Sequence, residues 1–286
     1  MSIQTSIQAK LESYPPSMQR VASAILAHPH TVLQSTISEL ARECSTSETS
    51  VVRFCRSIGF SGFAPFKLEL AAELATETAQ FGPSEHGADI SAEDSLAEAV
   101  VKVARSEVLG IQETMAQLDI DAIERIADRI RSCGKVLLFG VGASGAAPRD
   151  FAQKLLRIGV TALDFTDAHD ALVSAALLGQ DDVAVVFSHS GTTREAVAVL
   201  RAARNAGALT IAVTNAADPP LAAHAEEVLP TAVRETTFRS GAMASRIAQL
   251  TVVDYLFVGI ARKDFDATVE ALRTTYDTVS ALRDDR

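Results

Sequence analysis

Residues 182–195, DVAVVFSHSGTTRE, constrain this chain more than any other stretch. Val183, Ala184, Val185, Val186 and Phe187 are a short apolar run, the pattern of a parallel strand buried on both faces. The character then changes abruptly. Ser188, Ser190, Thr192 and Thr193 supply four hydroxyls within six residues, and Gly191 permits close backbone approach to a ligand. Residues 194–204 read as a helix with Ala196, Val197, Val199 and Leu200 inward, so the hydroxyl loop sits on a helix N-terminus. Free N–H groups and the positive end of the helix dipole favour an anion there, most simply a phosphate. A loop of ordinary N-capping residues would look similar, so this stretch alone leaves both readings open.

A second loop narrows the choice. Residues 135–139, KVLLF, form another short apolar strand that runs into Gly140-Val-Gly-Ala-Ser-Gly145 and a helical stretch through Arg157. In a doubly wound α/β sheet, ligands bind beyond the carboxyl ends of the strands, where the winding reverses. Strands near 135, 160, 183 and 209 in the order 2-1-3-4 would place Ser144 beside Ser188, Ser190 and Thr193. The letters of this loop also fit GxGxxG through Gly140, Gly142 and Gly145, with Asp164 at about the distance of a ribose-binding acid. A dinucleotide site of that kind leaves the hydroxyl loop unexplained.

The pair of loops resembles the SIS (sugar isomerase) domain, a phosphosugar-binding module with a GxGxS loop and an SxSGxTxE loop. Gly140, Gly142 and Ser144 match the first, and Ser188, Ser190, Gly191, Thr193 and Glu195 the second. The resemblance implies that Ser144, Ser188, Ser190 and Thr193 contact a phosphate. His189 lies between the two serines at a variable position, and it is a further candidate for the same site. His169 and Asp170, after the second strand, either follow a helix cap at Asp167 or, as the resemblance allows, bind sugar hydroxyls. Arg246, near the start of the apolar stretch 245–260, is placed to reach an anion. Residues 238–243 resemble the "rSgA" turn of the related regulators.

The amino-terminal part is helical. Pro15-Pro16 breaks a first helix or arm, Ser17 is expected to cap a helix across 18–27, and His28-Pro29 ends it. Ser38 is expected to cap a short helix over 39–44, and Ser47 a longer one over 48–58 with Val51, Phe54, Cys55 and Ile58 inward. Short helix, tight turn and capped second helix are the parts of a helix-turn-helix, whose second helix enters the major groove. Thr49, Ser50 and Arg53 then face the DNA; a plain three-helix bundle has the same pattern. The stretch TISELARECSTSETSVVRFCRSIGFSGFAPFKLEL resembles the helix-turn-helix of the RpiR family of bacterial sugar regulators. Ser45-Thr46 and Thr49-Ser50 depart from its usual Gly-Val and Ala-Thr. The resemblance implies that Arg53, Arg56 and Lys67 meet DNA, that Ser47 opens the recognition helix, and that Phe60, Phe63 and Phe66 close the core.

Size and charge agree with this division. At 286 residues the chain has room for two domains. The expected fold is α plus α/β: an all-α helix-turn-helix domain over 1–80, a linker over 81–95, and a doubly wound parallel-sheet SIS domain over 96–286. Its opening helix, capped by Ser95 and running through about Gln117, carries Leu96, Val100, Val103, Val108, Ile111 and Met115 as a stripe for the sheet or a partner subunit. The net charge is −10, but residues 1–77 hold six Lys/Arg against seven Asp/Glu, so non-specific DNA affinity should be weak. Cys44, Cys55 and Cys133 have no metal-ligand or disulfide spacing, and no stretch has signal-peptide or membrane-span character. A cytoplasmic protein without metal or cofactor is expected, acting on a double-stranded operator as a homodimer or homotetramer and answering to a sugar phosphate. The alternative is a sugar-phosphate isomerase or lyase, for which His169, His189, Glu195 and Glu235 are the conceivable bases.

Overall fold

Capping residues and prolines set where the amino-terminal helices begin. The computed structural model describes residues 2–81, 90–216, 218–234 and 242–284. Helix α1, Ile3–Lys10, is capped by Ser2. Helix α2, Pro16–Ala27, starts on Pro15-Pro16 and not on Ser17, because a proline at the first position already has helical φ and no N–H to satisfy. His28 ends it as expected, and Pro29 at once opens a six-residue helix, α3 (Pro29–Gln34), too short to show an apolar stripe in the sequence. Helix α4, Ile37–Glu43, starts at Thr36, two residues ahead of the expected Ser38. Thr36 and Glu39 form a reciprocal capping box, which holds the Glu39 carboxyl below its usual range through the Thr36 backbone N–H and hydroxyl. Helix α5, Glu48–Ser57, begins on Ser47 as expected, and α6 runs over Phe63–Phe81. Ile7, Val21, Ile25, Leu40, Val51, Phe54, Phe66 and Leu70 form the fully buried centre. The rings of Phe54, Phe60 and Phe63 gather round Phe66, the last two in their expected core role.

Helix α7, Leu96–Gln117, starts on Ser95, which exchanges a second pair of capping bonds with Glu98. It groups with the amino-terminal unit, residues 1–116 plus 232–244, whereas the sequence reading assigned it to the second domain. Its expected stripe is not its buried face: Leu96, Val100, Val108, Ile111 and Met115 are exposed, while Lys102, Gly110 and Thr114 are buried. Polar chemistry explains the difference. Lys102 pairs with Asp94 at 2.8 Å, Thr114 accepts from the Ala232 N–H at 3.0 Å, and Gly110 leaves room for Val233. Asp94, expected in the linker, is thereby paired; residues 82–89 of that linker lie outside the described residues.

The second unit, 117–231 plus 245–286, is built on a five-stranded parallel sheet. Strands β1 (Val136–Gly140), β2 (Ala162–Phe165), β3 (Val183–Phe187), β4 (Leu209–Thr214) and β5 (Glu227–Pro230) take the order β2-β1-β3-β4-β5, which contains the expected 2-1-3-4. Side chains alternate between two cores because strand residues point to opposite faces. Val136, Leu138, Val183, Val185, Phe187, Ile211 and Val213 pack against α8 (Ile120–Ser132), α9 (Ala146–Leu156) and α12 (Met243–Lys263). Leu137, Phe139, Ala184, Val186 and Ala212 meet α10 (Ala168–Ala175) and α11 (Arg194–Asn205) on the other face. Helix α12 has the length and composition of a membrane span, yet Val252, Val253, Leu256 and Ile260 bury one of its faces in the sheet core. A last helix, α13, covers Phe265–Asp284.

Candidate functional site

Strands β1 and β3 are neighbours and pair from Val136↔Val183 to Gly140↔Phe187, so the loops that follow them leave the sheet side by side. Each loop leads into a helix, α9 or α11, whose first turn receives no side-chain cap hydrogen bond. Two such N-termini on one rim give a backbone arrangement that favours an anion.

The hydroxyl loop is built to hold its shape. The Ser188 hydroxyl is buried, donates to Thr193 Oγ1 at 3.2 Å and accepts from the Gly191 N–H at 3.1 Å. Ser190 Oγ accepts from the Thr192 N–H at 3.3 Å and from the Thr192 hydroxyl at 2.9 Å. Gly191 has φ +63°, and a Cβ there would meet Pro219 and Thr214 Oγ1. The carbonyl of His189 accepts from the Asn215 N–H at 3.0 Å and from the Thr214 hydroxyl at 3.3 Å, so β4 braces the loop from behind.

The first loop is equally constrained. Gly142 has φ +61°, and Gly140 cannot carry a Cβ because the Ser144 carbonyl lies against it. Ser144 sits in the single helical turn Gly142–Gly145 and accepts a hydrogen bond at 3.2 Å from Gln249 on α12. Gln249 was not expected from sequence; a lone buried amide in an apolar helix is its only signal.

Asp167 accepts from the N–H groups of His169 and Asp170, at 2.8 and 3.1 Å, which is the capping reading. His169 and Asp170 are exposed on the first turn of α10, and Arg246 is exposed near the start of α12. Glu195 is an exposed acid in the first turn of α11. Glu235 and most of the 238–243 turn lie outside the described residues.

In the amino-terminal unit, the turn between α4 and α5 is fixed by Arg20, which donates to the carbonyls of Cys44 and Ser45 at 2.8 and 2.9 Å. Ser47, Thr49, Arg53 and Arg56 are exposed on α5, and Ser50 is half-buried behind the Ser47 cap. Lys67 stands apart. Its ammonium donates to the Ser35 carbonyl at 2.8 Å and lies 5.5 Å from the centre of the Phe63 ring, so its partners in the structure are half-buried groups of the same helical unit. Burial pushes the thiols of Cys55 and Cys133 up to about 11, which leaves them poor nucleophiles.

Known proteins share both halves. The rpiR-family helix-turn-helix domain matches residues 1–77, and the SIS domain matches residues 129–259. An uncharacterized HTH-type transcriptional regulator of Caldanaerobacter subterraneus subsp. tengcongensis is 37% identical over 274 residues, 96% of this chain and 95% of that protein. The HTH-type transcriptional regulator HexR of Escherichia coli K12 is 34% identical over 259 residues, 91% of this chain and 88% of HexR. The structure of Vibrio vulnificus NanR complexed with ManNAc-6P is similar at a TM-score of 0.60 and 29% identity, covering 98% of both chains. A DNA-reading domain joined to a phosphosugar module makes a phosphosugar-responsive transcription regulator and not an isomerase. On the order of its two domains and the extent of these likenesses, the chain belongs to the RpiR family of HTH-type transcriptional regulators.

Proposed function

We propose that a sugar phosphate binds with its phosphoryl group between the β1–α9 and β3–α11 loops, held by Ser144, Ser188, Ser190 and Thr193 and by the amides of the two helix starts. The observation that carries this reading is the pairing of Gly140 with Phe187, which sets two uncapped helix N-termini and a hydroxyl loop on one rim. Gly142 and Gly191 let the backbone approach the phosphate, and His189, His169, Asp170 and Arg246 are the candidates for the sugar itself. The ligand is an effector and not a cofactor. A phosphorylated amino sugar is one class to test, because NanR was solved with ManNAc-6P.

DNA contact falls to Ser47, Thr49, Ser50, Arg53 and Arg56 on α5. The protein works in the cytoplasm as a homodimer or homotetramer, since half-sites about one DNA turn (~34 Å) apart require two recognition helices. The effector acts by linkage: favouring one arrangement of the two helices with a coupling of ~1–3 kcal/mol changes operator affinity by roughly 5- to 150-fold. A gel-shift titration of DNA upstream of the protein's own gene, with and without a panel of hexose and amino-sugar 6-phosphates, tests this. A shift that one phosphosugar alters, and that Ser190→Ala makes unresponsive, supports it. A chain that ignores every phosphosugar, or turns one over, does not have this function.

A further inference from the structure

Gln249 is 1% exposed, on the face of α12 that carries Ser245, Val252, Val253, Leu256 and Ile260 into the core. A buried amide without a partner is costly, so its place there needs a polar reason. That reason is Ser144, whose hydroxyl oxygen receives the Gln249 Nε2–H at 3.2 Å. The backbone of Ser144 is already fixed by its N–H bond to the Val141 carbonyl and by its carbonyl packed on Gly140. What stays free is the direction of the hydroxyl hydrogen. A serine hydroxyl has one hydrogen to give and two lone pairs to receive. A donor behind it occupies a lone pair and leaves the hydrogen for an acceptor in front; an acceptor behind it draws the hydrogen away.

We infer that Gln249 is a positioning residue of the phosphate site: by donating to Ser144 it turns the serine hydrogen toward a phosphoryl oxygen. This rests on the phosphosugar reading above. It also accounts for an amide packed among Val252, Val253 and Leu256 on the buried face of α12. Replacing it with a carboxylate would reverse the hydrogen bond and set a negative charge behind the anion.

The test is binding of inorganic phosphate to the full-length chain, followed by 31P line broadening, for the wild type, Ser144→Ala, Ser190→Ala, Gln249→Met, Gln249→Asn, Gln249→Glu and the Ser144→Ala/Gln249→Met double variant. Thermal melts of each free protein confirm folding. Loss of one neutral hydrogen bond weakens binding by about 2- to 13-fold, so Gln249→Met and Gln249→Asn should fall in that range and Gln249→Glu beyond it. In the Ser144→Ala background Gln249→Met should cost nothing more, which a merely structural role would not produce. Full binding by the Gln249 variants, or an equal loss with and without Ser144, overturns the inference while leaving the site intact. If Gln249→Met does not fold, Gln249→Asn decides, since it keeps an amide but withdraws it by one methylene. Should the wild type not bind phosphate, or Ser144→Ala and Ser190→Ala bind it undiminished, the phosphosugar reading itself fails.

Discussion

Ser45 takes φ +48° in the turn ahead of the recognition helix, a left-handed conformation that costs a non-glycine residue about 1–2 kcal/mol. Arg20 holds it there through the carbonyls of Cys44 and Ser45. Ser45→Gly should therefore stabilise the unit, by up to about 1 kcal/mol once the greater freedom of the unfolded glycine chain is subtracted. A chemical denaturation midpoint that falls would disprove the strain. Gly191 presents the opposite case. Its φ is +63° and the space for a Cβ is filled by Pro219 and Thr214, so Gly191→Ala should destabilise by more than ~1 kcal/mol and abolish the phosphate response. Wild-type stability together with wild-type phosphate binding would show that the loop does not need its present shape. The sequence made the need for glycine at 191 legible, because a hydroxyl run after a strand has few other uses for one. It marked Ser45 only as a departure from the family's glycine; the sign of φ came from the fold.

At the scale of elements, α1, α6, α7 and the segment 232–234 are joined by buried charge. Arg234 donates to Glu77 at 2.6 Å and to Glu113 at 3.2 Å, Arg105 reaches Glu77 at 2.7 Å, and Glu73 accepts from Gln4 at 2.9 Å. Burial disfavours the Arg234 charge, but Glu77, Glu113 and Glu73 outweigh it and push the guanidinium above its ordinary value. Removing one member of a buried cluster strands the others, so Arg234→Ala should cost about 3–5 kcal/mol in the amino-terminal unit. A melt unchanged from wild type would show the cluster to be inert. Glu73 behaves differently, because burial raises its carboxyl pKa more than Arg234 lowers it. A group whose folded pKa is raised stabilises below its unfolded value and loses that contribution as pH rises through the folded one. The difference in stability between wild type and Glu73→Gln should thus shrink or reverse as pH climbs from about 4.5. A pH-independent difference would rule the shift out. None of this cluster was legible in the sequence: Arg234 and Glu77 alone lie 157 residues apart, and a charged residue in a helix pattern reads as a solvated one. The exposed stripe on α7 has the same cause, since its helical period was correct but polar partners decided which face turned inward.

For the whole molecule, DNA binding and effector binding are separate tasks carried by separate units, and salt dependence can tell their residues apart. Arg53 and Arg56 are exposed on α5, so replacing either with Ala should weaken operator binding by about 1–3 kcal/mol if it reads a base, or lower the salt slope by about one if it meets a phosphate. Lys67→Ala should leave that slope unchanged and lower thermal stability, because its ammonium already serves the Ser35 carbonyl. A reduced slope for Lys67→Ala would return it to the DNA face. The sequence by itself determined the two kinds of fold and the two loops at the carboxyl ends of β1 and β3. Those features are written in local periodicity and in glycine and hydroxyl spacing, which act over a few residues. Only the tertiary structure decided that β1 and β3 are neighbours, that Gln249 stands behind Ser144, that Arg234 joins Glu77 and Glu113, and that Lys67 meets the Ser35 carbonyl. Each depends on which distant polar group comes within hydrogen-bonding reach, and a chain sets that only when its apolar faces close.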